Sequence, residues 1–292
     1  MPFLAIFRHD LRTVGSNWLV RFWFGGCVLL TMFLLLMNWE RFETAPLIAS
    51  TLLPYLVFPW FLIVMVLGIT PLSGTRAEAL SDSILSRPVN RCEYLLAIWC
   101  SRVSVVLGVF LVVMVPAALI AACAERAEFE NTVTFYGATA TLALVGIVLV
   151  LQVSLAFLLG TFMRSSLLSI VILLVCWYPI NGVLSMFQLE EFSPIALSRA
   201  LPTLLESEWK SSEDAEVEDE EDLREAGEQL MRTIGSVWGG SSDPQPPAKK
   251  KEVFYDKEAF KDFSLPRVIL GYGIPAVLCL GISLIAFSVR DV

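Results

Sequence analysis

The side chains that could carry chemistry are few in this chain, and their placement excludes more than it offers. The six lysines, Lys210, Lys249, Lys250, Lys251, Lys257 and Lys261, all lie between positions 188 and 264. A phosphate-binding loop needs its Lys beside a Gly-rich turn at a helix start, and no G-x-x-x-x-G-K-[ST] occurs. That excludes a P-loop ATPase, and the same placement excludes a Ser–Lys membrane peptidase. The only histidine, His9, precedes the first apolar run, which removes a Ser–His intramembrane protease and a His-based metal site. The six cysteines form no C-x-x-C pair and mostly sit in apolar runs, as small packing residues. No catalytic residue, cofactor, metal or nucleic-acid partner is expected.

Two sets of polar residues remain. Arg102, Gln152 and Asn181 interrupt apolar runs and should face the bundle interior, because exposure to lipid is costly. Arg102 is only a couple of turns into its run, a position that favours snorkelling to the headgroups instead. Gln152 and Asn181 could line a pathway or hydrogen-bond neighbouring helices. The second set is a polar stretch between two apolar runs, Pro71 to Tyr94, PLSGTRAEALSDSILSRPVNRCEY. Thr75 and Glu78 have the T-x-x-E spacing of a capping box, in which hydroxyl and carboxylate each take one free backbone N–H. Leu80, Ile84 and Leu85 then share a helical face, and Pro88 stops the helix just after Arg87, with Arg91 beyond. The spacing predicts a short amphipathic helix over 75–87; an ordinary polar loop is the alternative.

The elements that must position these residues are membrane spans. Mean hydropathy is +0.68 and 56% of residues are hydrophobic, a membrane composition. Six runs reach the roughly 20 residues a hydrocarbon core requires: Trp18–Met37, Pro46–Ile69, Tyr94–Cys123, Tyr136–Met163, Leu167–Phe187 and Leu265–Phe287. Pro54, Pro59, Pro116, Pro179 and Pro275 should kink them. Before the first span, Arg8, His9, Asp10 and Arg12 alternate with apolar residues as in an interfacial amphipathic helix. If Met1 is cytoplasmic, the inner side holds Arg8, Arg12, Arg21, Arg76, Arg87, Arg91, Arg164 and Arg290, and the short outer loops only Arg41 and Arg126. The positive-inside bias then puts both termini and the 75–87 helix in the cytoplasm. The expected division is a membrane domain over 1–187, an extracytoplasmic connection over 188–264, and a sixth span with the C-terminus over 265–292.

That connection carries 19 Asp/Glu against 9 Lys/Arg in a chain of net charge −8, so the rest is slightly basic. The acidic run Glu213–Asp222 cannot bury enough to order itself, whereas Leu223, Leu230, Ile234 and Val237 keep helical spacing. A solvated linker with one or two short helices is expected.

The stretch Ser86-Arg87-Pro88-Val89-Asn90-Arg91-Cys92-Glu93-Tyr94-Leu95-Leu96 resembles one found in ABC transporter permeases of the type-2 exporter class. Ala79-Leu80 and Ala97-Ile98 depart from that pattern. Phe162-Met-Arg-Ser-Ser166 resembles the family's tight inner turn after span four. The resemblance implies an all-α, polytopic permease of six spans in the cell's inner membrane, embedded in lipid. It also implies pairing with a second permease, as a homodimer or heterodimer, and with a separate ABC ATPase subunit. The ATPase would dock on the 75–87 coupling helix through Thr75, Glu78, Leu80, Ile84, Leu85, Arg87, Pro88 and Arg91. ATP hydrolysis would then lie on the partner, not on this chain. A non-transporting structural or sensory anchor with an acidic outer connection is the competing expectation.

Overall fold

A computed structural model describes residues 2–57, 59–70, 90–124, 133–163, 165–186, 193–206 and 265–289. They form an all-α, polytopic membrane protein. Helix α1 spans Pro2–Gly15, α2 Trp18–Asn38, α3 Thr44–Leu56 and α4 Trp60–Ile69. Helix α5 spans Arg91–Cys123, α6 Phe135–Phe162, α7 Ser166–Met186, α8 Pro194–Glu206 and α9 Leu265–Val289. Among the described residues, five segments are long and apolar enough to cross a membrane: α2, α3 with α4, α5, α6 and α9. In α7 the described apolar part, Ser166–Trp177, is shorter.

Helix α6 is the centre of the bundle. It packs on α9, α4, α5, α7 and α8, its most extensive contact being with α9. Its buried residues, from Gly137 to Thr161, occur all round the helix, as a central helix requires. Helices α2 and α9 lie outside it and expose rows of Phe, Leu, Ile and Val, the surface a bilayer covers.

The second span is broken, not merely kinked. Pro54 lies inside α3 and offers no N–H to the turn before it. Val57 and Pro59 lie outside both helices, so α3 ends at Leu56 and α4 starts at Trp60. Val57 still donates its N–H to the Leu53 carbonyl at 3.1 Å, and no side chain caps α4. Pro116 and Pro275, by contrast, lie within helices that continue through them.

Two close approaches fix the packing. A Cβ on Gly68 would lie 2.6 Å from the Ala156 Cβ, and one on Gly160 would lie 3.0 Å from the Ile69 carbonyl oxygen, so α4 and α6 touch through backbone. At the opposite end of α6, a Cβ on Gly137 would lie 2.6 Å from the Leu204 carbonyl oxygen. There the Thr134 N–H donates to the Leu205 carbonyl at 3.1 Å, and the Thr134 hydroxyl caps α6 by accepting from Gly137 at 2.9 Å. The end of α8 is thus tied to the start of α6.

Helix α8 is the element that sequence reasoning missed, because it lies at the head of the acidic connection. Its apolar residues Leu197, Leu201, Leu204 and Leu205 have helical spacing and are buried against the body. The spacing was there to be read. The helix expected from Leu223 to Val237 and the acidic run lie outside the described residues.

Candidate functional site

At the end of the bundle where α4 stops and α5 starts, the N-terminal helix is fastened to the spans by charge. In α1, Phe3, Ile6, Phe7, Asp10, Leu11 and Val14 form the less exposed face, while Leu4, Arg8, His9 and Arg12 face outward. That face lies on α5. Asp10 meets Arg102 there, with 3.2 Å between Oδ1 and Nη2. The Ser101 hydroxyl donates to the Asp10 carboxylate and lies 2.8 Å from the Ile98 carbonyl oxygen. Arg102 is only 11% exposed and Asp10 19%, so this pair is largely withdrawn from water. Arg102, expected from its place near the start of its run to snorkel to the headgroups, has a partner from α1. The cause is simple: a carboxylate within reach neutralises the guanidinium where it stands. Asp10 carried a signal, since it breaks the apolar face of α1, but a lone acid near a terminus does not name its partner.

Gln152, on α6, is fully buried, and neither end of its carboxamide has a hydrogen-bond partner among the described residues. Two residues further on, the Ser154 hydroxyl accepts from the Trp99 indole N–H at 3.2 Å and donates to the Val150 carbonyl at 2.8 Å. This cross-helix tie between α5 and α6 was not foreseen, because Ser154 and Trp99 belong to no motif. Asn181 lies in α7, with its side chain outside the described residues.

The sequence-predicted docking residues Thr75, Glu78, Leu80, Ile84, Leu85, Arg87 and Pro88 lie outside the described residues. The described chain leaves α4 at Thr70 and returns at Asn90, which is extended (φ −69°, ψ 130°) and precedes α5 as its N-cap. Arg91 opens that helix, and Glu93 puts a carboxylate on its first turn, where the helix dipole favours it. Both roots rest on the same part of α6. Ile69 lies against Gly160, and Leu95 and Ile98 pack on Phe157 with Leu284 and Phe287 of α9 beside them.

Toward the α8 end, a groove of about 750 Å³ runs between α5 and α6, lined by Leu107, Phe110, Leu111, Leu142, Ile147 and Val150 among others. Thr139 borders it, but its hydroxyl donates to its own helix at Phe135, 2.9 Å away. The groove therefore suits hydrocarbon. No group of three or more metal-ligating side chains occurs among the described residues. Compared with protein-family models, curated proteins and solved structures, the chain has no match.

Proposed function

We propose that this chain is the membrane-spanning permease subunit of an ATP-driven ABC exporter. A separate nucleotide-binding subunit hydrolyses ATP, and this chain, paired with a second permease, moves the cargo. In this reading α7 completes six spans, the α1 end is cytoplasmic, and the 75–87 stretch is the coupling helix.

The observation that carries the reading is the footing of that stretch. Its two roots, at Ile69 and Leu95, bear on α6 within one turn, between Phe157 and Gly160. A push delivered between them would be shared by α4, α5 and α6 as one unit, which suits a rigid-body switch of the spans. The break between α3 and α4 supplies a place for that unit to flex.

The test is retention of a candidate ABC ATPase subunit co-expressed with this chain. Leu80 and Ile84 would each contribute about 1.5–3 kcal/mol on burial in a docked face, less the cost of association. The double variant Leu80→Asp/Ile84→Asp places unpaired carboxylates in that contact, which disrupts more than truncation. Its membrane level should equal wild type, while the co-purified ATPase falls at least tenfold. Equal retention would refute the docking assignment.

A further inference from the structure

Two helices measure where the membrane edge falls at the α1 end of the bundle. Helix α2 has 21 residues, about 31 Å at 1.5 Å per residue. That is close to the roughly 30 Å of a hydrocarbon core, so Trp18 marks its edge. Helix α5, with 33 residues, is too long to lie wholly inside. Its stretch without a charged side chain, residues 103–123, again covers about 31 Å. Arg102 therefore stands at the same edge as Trp18. Asp10 is fixed to Arg102, and α1 ends at Gly15, just before α2 starts. Helix α1 thus lies along the boundary between hydrocarbon and headgroups.

The face that α1 turns outward mixes apolar and cationic groups. Leu4 is 63% exposed, and Arg8 and Arg12 follow it on the same stripe at i+4 and i+8. At the start of α2, Trp18 is 74% exposed and stacks on the exposed Phe22, with ring centroids 5.5 Å apart. Arg21 is exposed in the same turn, and its stem can carry the guanidinium back to the edge. Water alone would leave Leu4, Trp18 and Phe22 unburied. A lipid interface takes apolar side chains, aromatic rings and guanidiniums together.

The free charge there has one sign. Asp10 is the only acid in the first 39 residues, and its carboxylate is taken by Arg102 and Ser101. Arg8, Arg12 and Arg21 have no ion pair among the described residues. Glu93, exposed in the first turn of α5, lies nine residues from Arg102, about 14 Å further from the core. That exceeds the roughly 8–10 Å over which exposed charges act at ordinary salt. A zwitterionic headgroup would bring a cation that finds no free carboxylate on this face. An acidic headgroup brings only the phosphate that guanidiniums receive.

We propose that this face binds the headgroups of acidic phospholipids, with Arg8, Arg12 and Arg21 as the phosphate contacts. The inference needs only the membrane spans, and it stands whether or not an ATPase docks.

The test uses full-length protein, purified in detergent and stripped of lipid. It is titrated with dioleoyl phosphatidylglycerol or dioleoyl phosphatidylcholine, and bound lipid is counted by native mass spectrometry. One basic side chain at an anionic lipid surface is worth about fivefold in affinity, so three should give at least a tenfold preference for phosphatidylglycerol. The triple variant Arg8→Gln/Arg12→Gln/Arg21→Gln should bind the two lipids alike. Its melting temperature should match wild type, because all three side chains are exposed. Arg199→Gln, on the exposed side of α8 at the other end of the bundle, should keep the full preference. Inorganic phosphate in large excess should leave phosphatidylglycerol bound. A wild type that binds both lipids alike, a triple variant that keeps the preference, or an Arg199 variant that loses it would overturn the proposal. Displacement by inorganic phosphate would also overturn it, since the face would then take free anions and not lipid.

Discussion

Asp10→Ala should destabilise the protein more than Arg102→Ala, although both changes break the same ion pair. Removing the acid strands a guanidinium that is 11% exposed in the flank of α5. Removing the base leaves a carboxylate that is 19% exposed and still accepts from the Ser101 hydroxyl. Stranding one member of a buried pair costs about 3–5 kcal/mol, and the partial exposure of Asp10 puts Arg102→Ala at or below the low end. The double variant Asp10→Leu/Arg102→Leu removes both charges and should lose less than the sum of the single changes, because no unpaired ion remains. Thermal unfolding of the purified protein in detergent checks the order. Equal effects of the two single changes, with a double variant that loses their full sum, would mean that the pair is not the fastening. The same change should free α1 from α5, so proteolysis within the first 15 residues should rise in step with the loss of stability.

The second large effect lies at the α4–α6 crossing. Gly68→Ala puts a methyl group 2.6 Å from the Ala156 Cβ, closer than such atoms sit, and at a tight 3.1 Å from the Val153 carbonyl oxygen. The helices must part, and overpacking of this kind costs about 1–3 kcal/mol. The companion change Ala156→Gly removes the atom met first, so Gly68→Ala/Ala156→Gly should recover a large share of the lost stability. An additive double variant would show that the strain is taken up elsewhere. Gly160→Ala should act similarly, but it meets the Ile69 backbone at 3.0 Å and has no side chain to delete. It should have no single-residue rescue.

How much of this was legible depended on the kind of signal. Apolar length announced α2, α5, α6 and α9 because a span must bury about 20 residues whatever its neighbours do. The alternation of Phe3, Ile6, Phe7 and Leu11 with Arg8 and Arg12 announced α1, since amphipathicity is a local property. Local rules also placed the defect in the second span, although prolines at 54 and 59 predict a kink as readily as a break. What sequence could not supply was partnership. Arg102 and Asp10 are 92 positions apart, and which of several solutions an intramembrane arginine adopts depends on what the fold brings near. The Trp99–Ser154 hydrogen bond and the roles of Gly68, Gly137 and Gly160 are of the same kind, since each depends on a second helix. Helix α8 was overlooked for a different reason: net charge over 188–264 masked a leucine pattern confined to its first twenty residues.

The measurement that bears most directly on the permease reading is the sidedness of two loops. On a cysteine-free background, a cysteine at position 83 should be reached by a membrane-impermeant maleimide only after the cytoplasmic face is opened. A cysteine at position 215 should label in intact cells. That result puts the 75–87 stretch where an ATPase could meet it and the acidic connection on the other side. Labelling of position 83 in intact cells, or of both positions from the same side, would contradict it.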